Sequence, residues 1–205
     1  NNTVAAGANI NIGSITGTTA GAETLTLNSG TGGDIAITGQ VGATRLGLLT
    51  VSNADDVTYS AAASMRVTGL TVGSTGTPVN SFLATNAAGA IDSLGAISVY
   101  TDNVTGGATG IQFGGGANAN GNAIALRSAQ DVVFGGVVQS TASTLTIDGL
   151  TTGTVINVGG TNTGALDMSD ATVDNIGAFA TVTIGQTGQN AAVNFDRVDN
   201  GTSTF

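Results

Sequence analysis

Cysteine, histidine, lysine and tryptophan are all missing from this chain, proline occurs once, at Pro78, and aromatic residues make up only 4%. Without cysteine there is no disulfide framework, no thiolate metal site and no thiol nucleophile. Without histidine or lysine, the Ser-His-Asp, Cys-His and lysine-based catalytic arrangements fall away. Carboxylates, arginine, hydroxyls and tyrosine are what remains for chemistry. Charge is scarce as well, at 8% of residues, about a third of the roughly 25% usual for soluble domains. What charge there is has mostly one sign: Glu23 and twelve aspartates stand against Arg45, Arg66, Arg127 and Arg197, a net charge of −9. Four scattered arginines cannot supply the clustered cations that a phosphate backbone or an anionic membrane requires. Nucleic acid and membrane insertion are therefore not expected. No apolar run approaches the roughly 20 residues of a membrane span, and Asn1 opens neither a basic nor an apolar leader region. The expectation is a processed chain or an internal piece of a longer one.

Glycine and small aliphatics fill the space that these absences leave. There are 33 glycines, and the 40% apolar fraction is mostly Val, Ile, Leu and Ala. A positive mean hydropathy of +0.28 argues against disorder, which needs low hydrophobicity. One phrase keeps returning: aliphatic, a small middle residue that is most often polar, then a second apolar residue. It reads Ile10-Asn11-Ile12, Leu25-Thr26-Leu27, Ile35-Ala36-Ile37, Leu49-Thr50-Val51, Val57-Thr58-Tyr59, Leu70-Thr71-Val72, Ile97-Ser98-Val99, Ile111-Gln112-Phe113, Ile124-Ala125-Leu126, Leu145-Thr146-Ile147, Val182-Thr183-Ile184 and Val193-Asn194-Phe195. Because side chains alternate across a strand, each phrase sets two apolar groups on one side and one small group on the other.

The spacing of the phrases is regular enough to imply repetition. Leu49 to Val57 is 8 residues and Val57 to Leu70 is 13; Ile124 to Val132 and Val132 to Leu145 repeat the same 8 and 13. An offset of 75 aligns Asp56 with Asp131, Val57 with Val132, Tyr59 with Phe134 and Leu70 with Leu145. Two strands plus turns in about 21 residues define one coil of a parallel β-helix, with a weaker third strand at Met65 to Val67. Ile111 to Val132 and Leu145 to Leu166 are also 21 apart, and Leu25 to Leu49 is 24. At about 21 residues per coil the chain would make about nine or ten coils, a rod of roughly 45 Å. Residues 1–205 read as a single β-solenoid domain, with 74–94, around Pro78, the least regular stretch and a loop-insertion candidate. Corners fall at Gly30 to Gly33, Gly106-Gly107, Gly114 to Gly116, Gly135-Gly136 and Gly159-Gly160, where positive φ is tolerated. No helix long enough to cap the rod is evident, which makes continuation of the stack or self-association at its ends the expected fate.

The runs LTLNSGTGGDIAITG (25–39), LGLLTVSNADDVTY (46–59) and VTGLTV (67–72) resemble the repeat body of giant bacterial adhesins of the filamentous-haemagglutinin and autotransporter type. The resemblance implies a right-handed parallel β-helix exported to the cell surface, with secretion and anchoring domains elsewhere. It confers no site residues.

Candidate chemistry reduces to a few groups. Asp55, Asp56 and Asp131, together with Asp167, Asp170 and Asp174, could form the paired carboxylates of a glycoside-cleaving β-helix enzyme. The position of Asp56 and Asp131 just before equivalent strands reads instead as turn capping. No catalytic, cofactor-binding or metal residue is assigned. SGTGGDIAI (29–37) approaches a calcium-binding β-roll nonapeptide but occurs once, so structural calcium is the only ion considered. Thr26, Thr50, Thr58, Thr71, Thr146 and Thr183 could form an outward ladder of the ice-binding kind, with Ala36, Gln112, Ala125 and Val133 interrupting it. Tyr59, Phe113, Phe134 and Phe195 are expected to fill the core. Asn103-Val104-Thr105 and Asn200-Gly201-Thr202 match the glycosylation acceptor pattern by chance composition. The expected function is a non-enzymatic extracellular rod segment of a bacterial surface protein, with surface glycans or proteins as partners. A head-to-tail subunit of a layer or filament is the rival, and a polysaccharide-acting enzyme the third reading.

Overall fold

A computed structural model describes residues 7–103, 109–160 and 166–196. The first strands are β1 (Ile10–Ile12), β2 (Leu25–Asn28), β3 (Ile35–Ile37), β4 (Leu46–Asn53), β5 (Asp56–Tyr59) and β6 (Met65–Val72). There follow β7 (Ser81–Ala84), β8 (Ile91–Ser93), β9 (Ile97–Tyr100), β10 (Thr109–Phe113), β11 (Ala117–Asn118), β12 (Ile124–Ser128) and β13 (Asp131–Phe134). The last are β14 (Val138–Gln139), β15 (Thr144–Gly149), β16 (Ile156–Val158), β17 (Leu166–Met168), helix α1 (Asp170–Asp174), β18 (Thr181–Ile184) and β19 (Val193–Phe195). All twelve recurring phrases lie within strands.

Among the described residues every strand pairing is parallel, and the strands stack into columns. The first face runs β1, β3, β5, β7, β10, β13. Its partners are Ile10, Ile35, Val57, Phe82, Ile111 and Val132, so successive turns take 25, 22, 25, 29 and 21 residues. The second face runs β2, β4, β6, β9, β12, β15, β18. The third is built from short pieces: Ile15 on Val41, then Met65–Val67 of β6, β8, β11, β14 and Ile176. The protein is thus an all-β parallel solenoid of about five turns along β1 to β13, fewer than the expected nine or ten. The 21-residue turn is the shortest, and corner excursions such as Ser74–Thr77, closed by Ser74 N–H to Thr77 O, lengthen the others. The 75-residue offset spans three turns. Within 74–94, β7 and β8 take regular places in two columns.

One irregularity sits above β13. Leu145 does not begin a 21-residue turn to Leu166; it pairs with Val182, 37 residues on, and Leu166 pairs with Ile156 on another face. β16 precedes β17 in the chain but lies between β17 and β19. An extra strand is thereby inserted into the column that β17 continues above β13, against which it packs. The short helix α1 follows, with Ser169 as its N-cap accepting from Thr172 N.

The interior is one continuous cluster, from Leu27 to Val173, of aliphatic side chains with an aromatic seam. Phe82, Phe113 and Phe134 occupy successive rungs. The Phe82 and Phe113 rings meet edge to face at 6.0 Å, and Phe113 and Phe134 stack at 5.9 Å. Tyr59 is buried and its hydroxyl donates to Ala63 O at 2.6 Å. Phe195, in contrast, is 68% exposed, because among the described residues β19 has a neighbour on one side only. Two corner glycines show why the chain needs them. Gly42 and Gly116 have φ of +75° and +80°, and a Cβ there would collide with the carbonyl oxygens of Arg66 and Val137 in the next turn.

Candidate functional site

The carboxylates are spent on holding rungs together. Asp56 Oδ1 accepts from Asn80 Nδ2 at 2.8 Å and Ser81 Oγ at 2.6 Å, both one turn above. Asp34 stands in the same relation to its neighbours: Oδ2 accepts from Asn9 and Oδ1 from the Asp56 amide. Asp131 Oδ1 accepts the Asp167 amide at 3.2 Å. The bonds these carboxylates accept therefore act between turns. Asp131 and Asp167 are brought together, whereas Asp56 lies three turns below Asp131 on the same face. Asp170 accepts the Gly160 amide from its place in α1, Asp174 ends that helix, and Asp55 belongs to the corner before β5, its amide on Gly33 O. Burial raises the Asp131 carboxyl above the usual carboxylate range and the charge of Asp167 adds to it, against the opposing Asp167 N–H. Above them Asn157 Nδ2 donates to Asp167 Oδ1 at 2.5 Å and Asn194 Nδ2 to Asn157 Oδ1 at 2.9 Å, a polar ladder climbing the inserted strand.

The 29–37 turn is closed by its own groups: Ser29 Oγ donates to Gly33 O at 2.7 Å and Gly30 N to Asn28 Oδ1 at 3.0 Å. Among the described residues no three acidic side chains gather to hold a metal. Residues 104–107 and 200–202, with the glycosylation matches and the Gly106-Gly107 corner, and Arg197 lie outside the described residues.

The threonine ladder is more regular than sequence spacing suggests. Thr26, Thr50, Thr71, Ser98, Ala125, Thr146 and Thr183 are register partners up the second face. Thr58 belongs to the first face, as do Ala36, Gln112 and Val133, which interrupt nothing. Beside the ladder a second file climbs the same rungs: Tyr100, Arg127 and Asp148. The Arg127 guanidinium lies 5.8 Å from the Tyr100 ring centroid, and its Nη2 donates to Asp148 Oδ2 at 2.9 Å. Sequence reasoning passed over this file, since only the register brings the three together.

Where the two files meet the last turn, a cleft of about 380 Å³ opens. It is lined by Arg127, Asp148, Thr146, Thr183, Gly185, Gln186 and Thr187. Gln186 Nε2 donates to Gly149 O at 3.0 Å and so anchors one wall. Arg127 Nε and Asp148 Oδ1 are buried with no hydrogen-bond partner, a state that costs about 1–3 kcal/mol per group.

The ends of the rod form the other candidate surface. Among the described residues, β1 and β2 at one end and β18 and β19 at the other each have a single neighbour. Ile10, Ile12, Ile15 and Leu25, and at the far end Val182, Ile184 and Val193, are only partly covered.

Comparison of the chain with protein families, curated proteins and solved structures gives no match.

Proposed function

We propose that this chain is a non-enzymatic rod segment of a large bacterial cell-surface protein, working by spacing and displaying adhesive surface outside the cell. The observation that supports the reading most is the parallel pairing of strands, turn upon turn, around one continuous and mainly aliphatic interior. That arrangement gives a stiff element whose turns each contact only their neighbours. The coil is right-handed in this reading, as nearly all parallel β-crossovers are. Its outward faces carry hydroxyls, amides and a net charge of −9, which favour solubility without requiring a charged ligand. Carboxylates tied up between turns weigh against a hydrolytic role.

Sedimentation velocity with small-angle scattering tests this. A monomer whose sedimentation coefficient stays constant across a hundredfold concentration range is the expected result, and association that grows with concentration overturns the spacer reading. The single-neighbour strands at both ends favour a second reading, a subunit adding head to tail, because heterologous contacts of that kind generate open fibres. Concentration-dependent growth into filaments in the same experiment selects it.

A further inference from the structure

We propose that the cleft at the top of the second face, between Arg127, Asp148, Thr146, Thr183 and Gln186, is a binding site for a neutral saccharide. The proposal deepens the adhesive part of the reading above and rests on it for the source of the ligand.

Charge narrows the ligand first. Arg127 and Asp148 are paired at 2.9 Å, so the wall they form has no net charge but offers a donor and an acceptor side by side. An anion meets the Asp148 carboxylate and a cation meets the guanidinium. A hydroxyl suits both, since it accepts and donates at once. The pair is also incompletely satisfied: Arg127 Nε and Asp148 Oδ1 lack partners. Such buried, unpartnered groups call for an explanation where they occur.

The rest of the lining points the same way. Thr146 and Thr183 stand on adjacent rungs of the ladder, so their hydroxyls repeat at about 4.8 Å, a separation that hydroxyls spread along a sugar ring can meet. Gln186 is held in place by its bond to Gly149 O and lines the cleft with a side-chain amide. An apolar ligand would strip water from all of these groups and return nothing. At about 380 Å³ the cleft has the volume of ordinary small-molecule sites. Tyr100 lies beneath Arg127, and with the Asp148 bond it fixes the guanidinium from two sides, which lowers the ordering cost of binding.

The test titrates the 205-residue chain, labelled for amide NMR, with neutral oligosaccharides of glucose and N-acetylglucosamine, and in parallel with uronate and sulfated oligosaccharides. Binding of a neutral sugar is expected, with shifts confined to Thr146, Asp148, Thr183 and Gln186. Thr183→Val, which keeps shape and strand preference, and Gln186→Ala are each expected to weaken it about five- to tenfold, the loss of one hydrogen bond. Thr50→Val, on the same ladder but far down the rod, should change nothing. Stronger binding of the acidic sugars, no shift with any sugar, or binding that survives both cleft variants overturns the proposal. Each of these outcomes leaves the hydrodynamic shape unaltered, so failure of the cleft and failure of the rod are read separately.

Discussion

Replacing Phe113 with alanine tests whether the interior is packed as tightly as its geometry implies. Phe113 is fully buried, held edge to face by Phe82 and stacked against Phe134, with centroids at 6.0 and 5.9 Å. Truncating a buried phenylalanine costs about 3–5 kcal/mol, part transfer and part cavity. Its two ring contacts carry about 0.5–1.5 kcal/mol each beyond area, which places the expected loss toward the upper end, about 4 kcal/mol. The walls are stacked strands tied by backbone bonds on both sides, so they cannot collapse into the gap as a loop would. Urea unfolding followed by far-ultraviolet circular dichroism reads the effect as a midpoint lowered by about 1.5 M, at an m-value near the usual 2–3 kcal/mol/M for this size. Because each turn touches only its neighbours, hydrogen exchange should accelerate most in β7, β10 and β13 and least in β3. Phe113→Leu, which keeps much of the volume, should cost about 1–2 kcal/mol. A loss below about 2 kcal/mol for the alanine variant, or exchange that accelerates equally everywhere, would refute the picture of a tight interior organised turn by turn.

Two further outcomes follow from corners and carboxylates. Gly116→Ala combines positive φ with a Cβ driven into the Val137 carbonyl and should cost more than about 1 kcal/mol, whereas Gly76→Ala, with open space around it, should stay within about 0.5 kcal/mol; equal melting temperatures for the two would contradict the corner geometry. The Asp131 carboxyl is raised in the folded state by burial and then by Asp167, so its protonated form favours folding: that contribution is complete below the ordinary aspartate value and lost as pH rises through the raised one. Asp131→Asn keeps the Oδ1 acceptor for the Asp167 amide and should flatten that part of the stability–pH curve, with stability at pH 7 equal to or above that of the parent; a steeper curve would reverse the assigned sign.

The interior was legible in the chain because alternation is a local property. Each phrase such as Val57-Thr58-Tyr59 announces which side chains turn inward, and the burial of Val57 and Tyr59 agrees. Strands whose outward residue is apolar were harder to see: β7 reads Ser-Phe-Leu-Ala, with Leu83 facing out, and no polar residue marks the alternation. β11 and β14 are two residues long, too short for any period to show, and only Ala117 and Val138 point inward. Position along the rod was less legible than strand identity. Leu145 and Leu166 have the right spacing for one turn yet lie on different faces, because β16 and β17 intervene before the second face resumes at β18. The cleft was hidden for the same reason. Tyr100, Arg127 and Asp148 are separated by 27 and 21 residues in sequence and become neighbours only when turns of unequal length are laid in register.

The three-turn span of the 75-residue offset has a consequence for the length of the molecule. Val132 stands three rungs above Val57 on the first face, and Leu145 three rungs above Leu70 on the second. Excising residues 57–131 would join Asp56 to Val132, reproducing the step from Asp131 to Val132, and shorten the rod by about 14 Å at about 4.8 Å per rung. Copying the same stretch in tandem would lengthen it by as much, with the copied Tyr59 standing above Phe113 where Phe134 now stands. The rod is in this sense a ruler graduated in whole turns, and its reach is a quantity that a gene can adjust by recombination rather than by substitution.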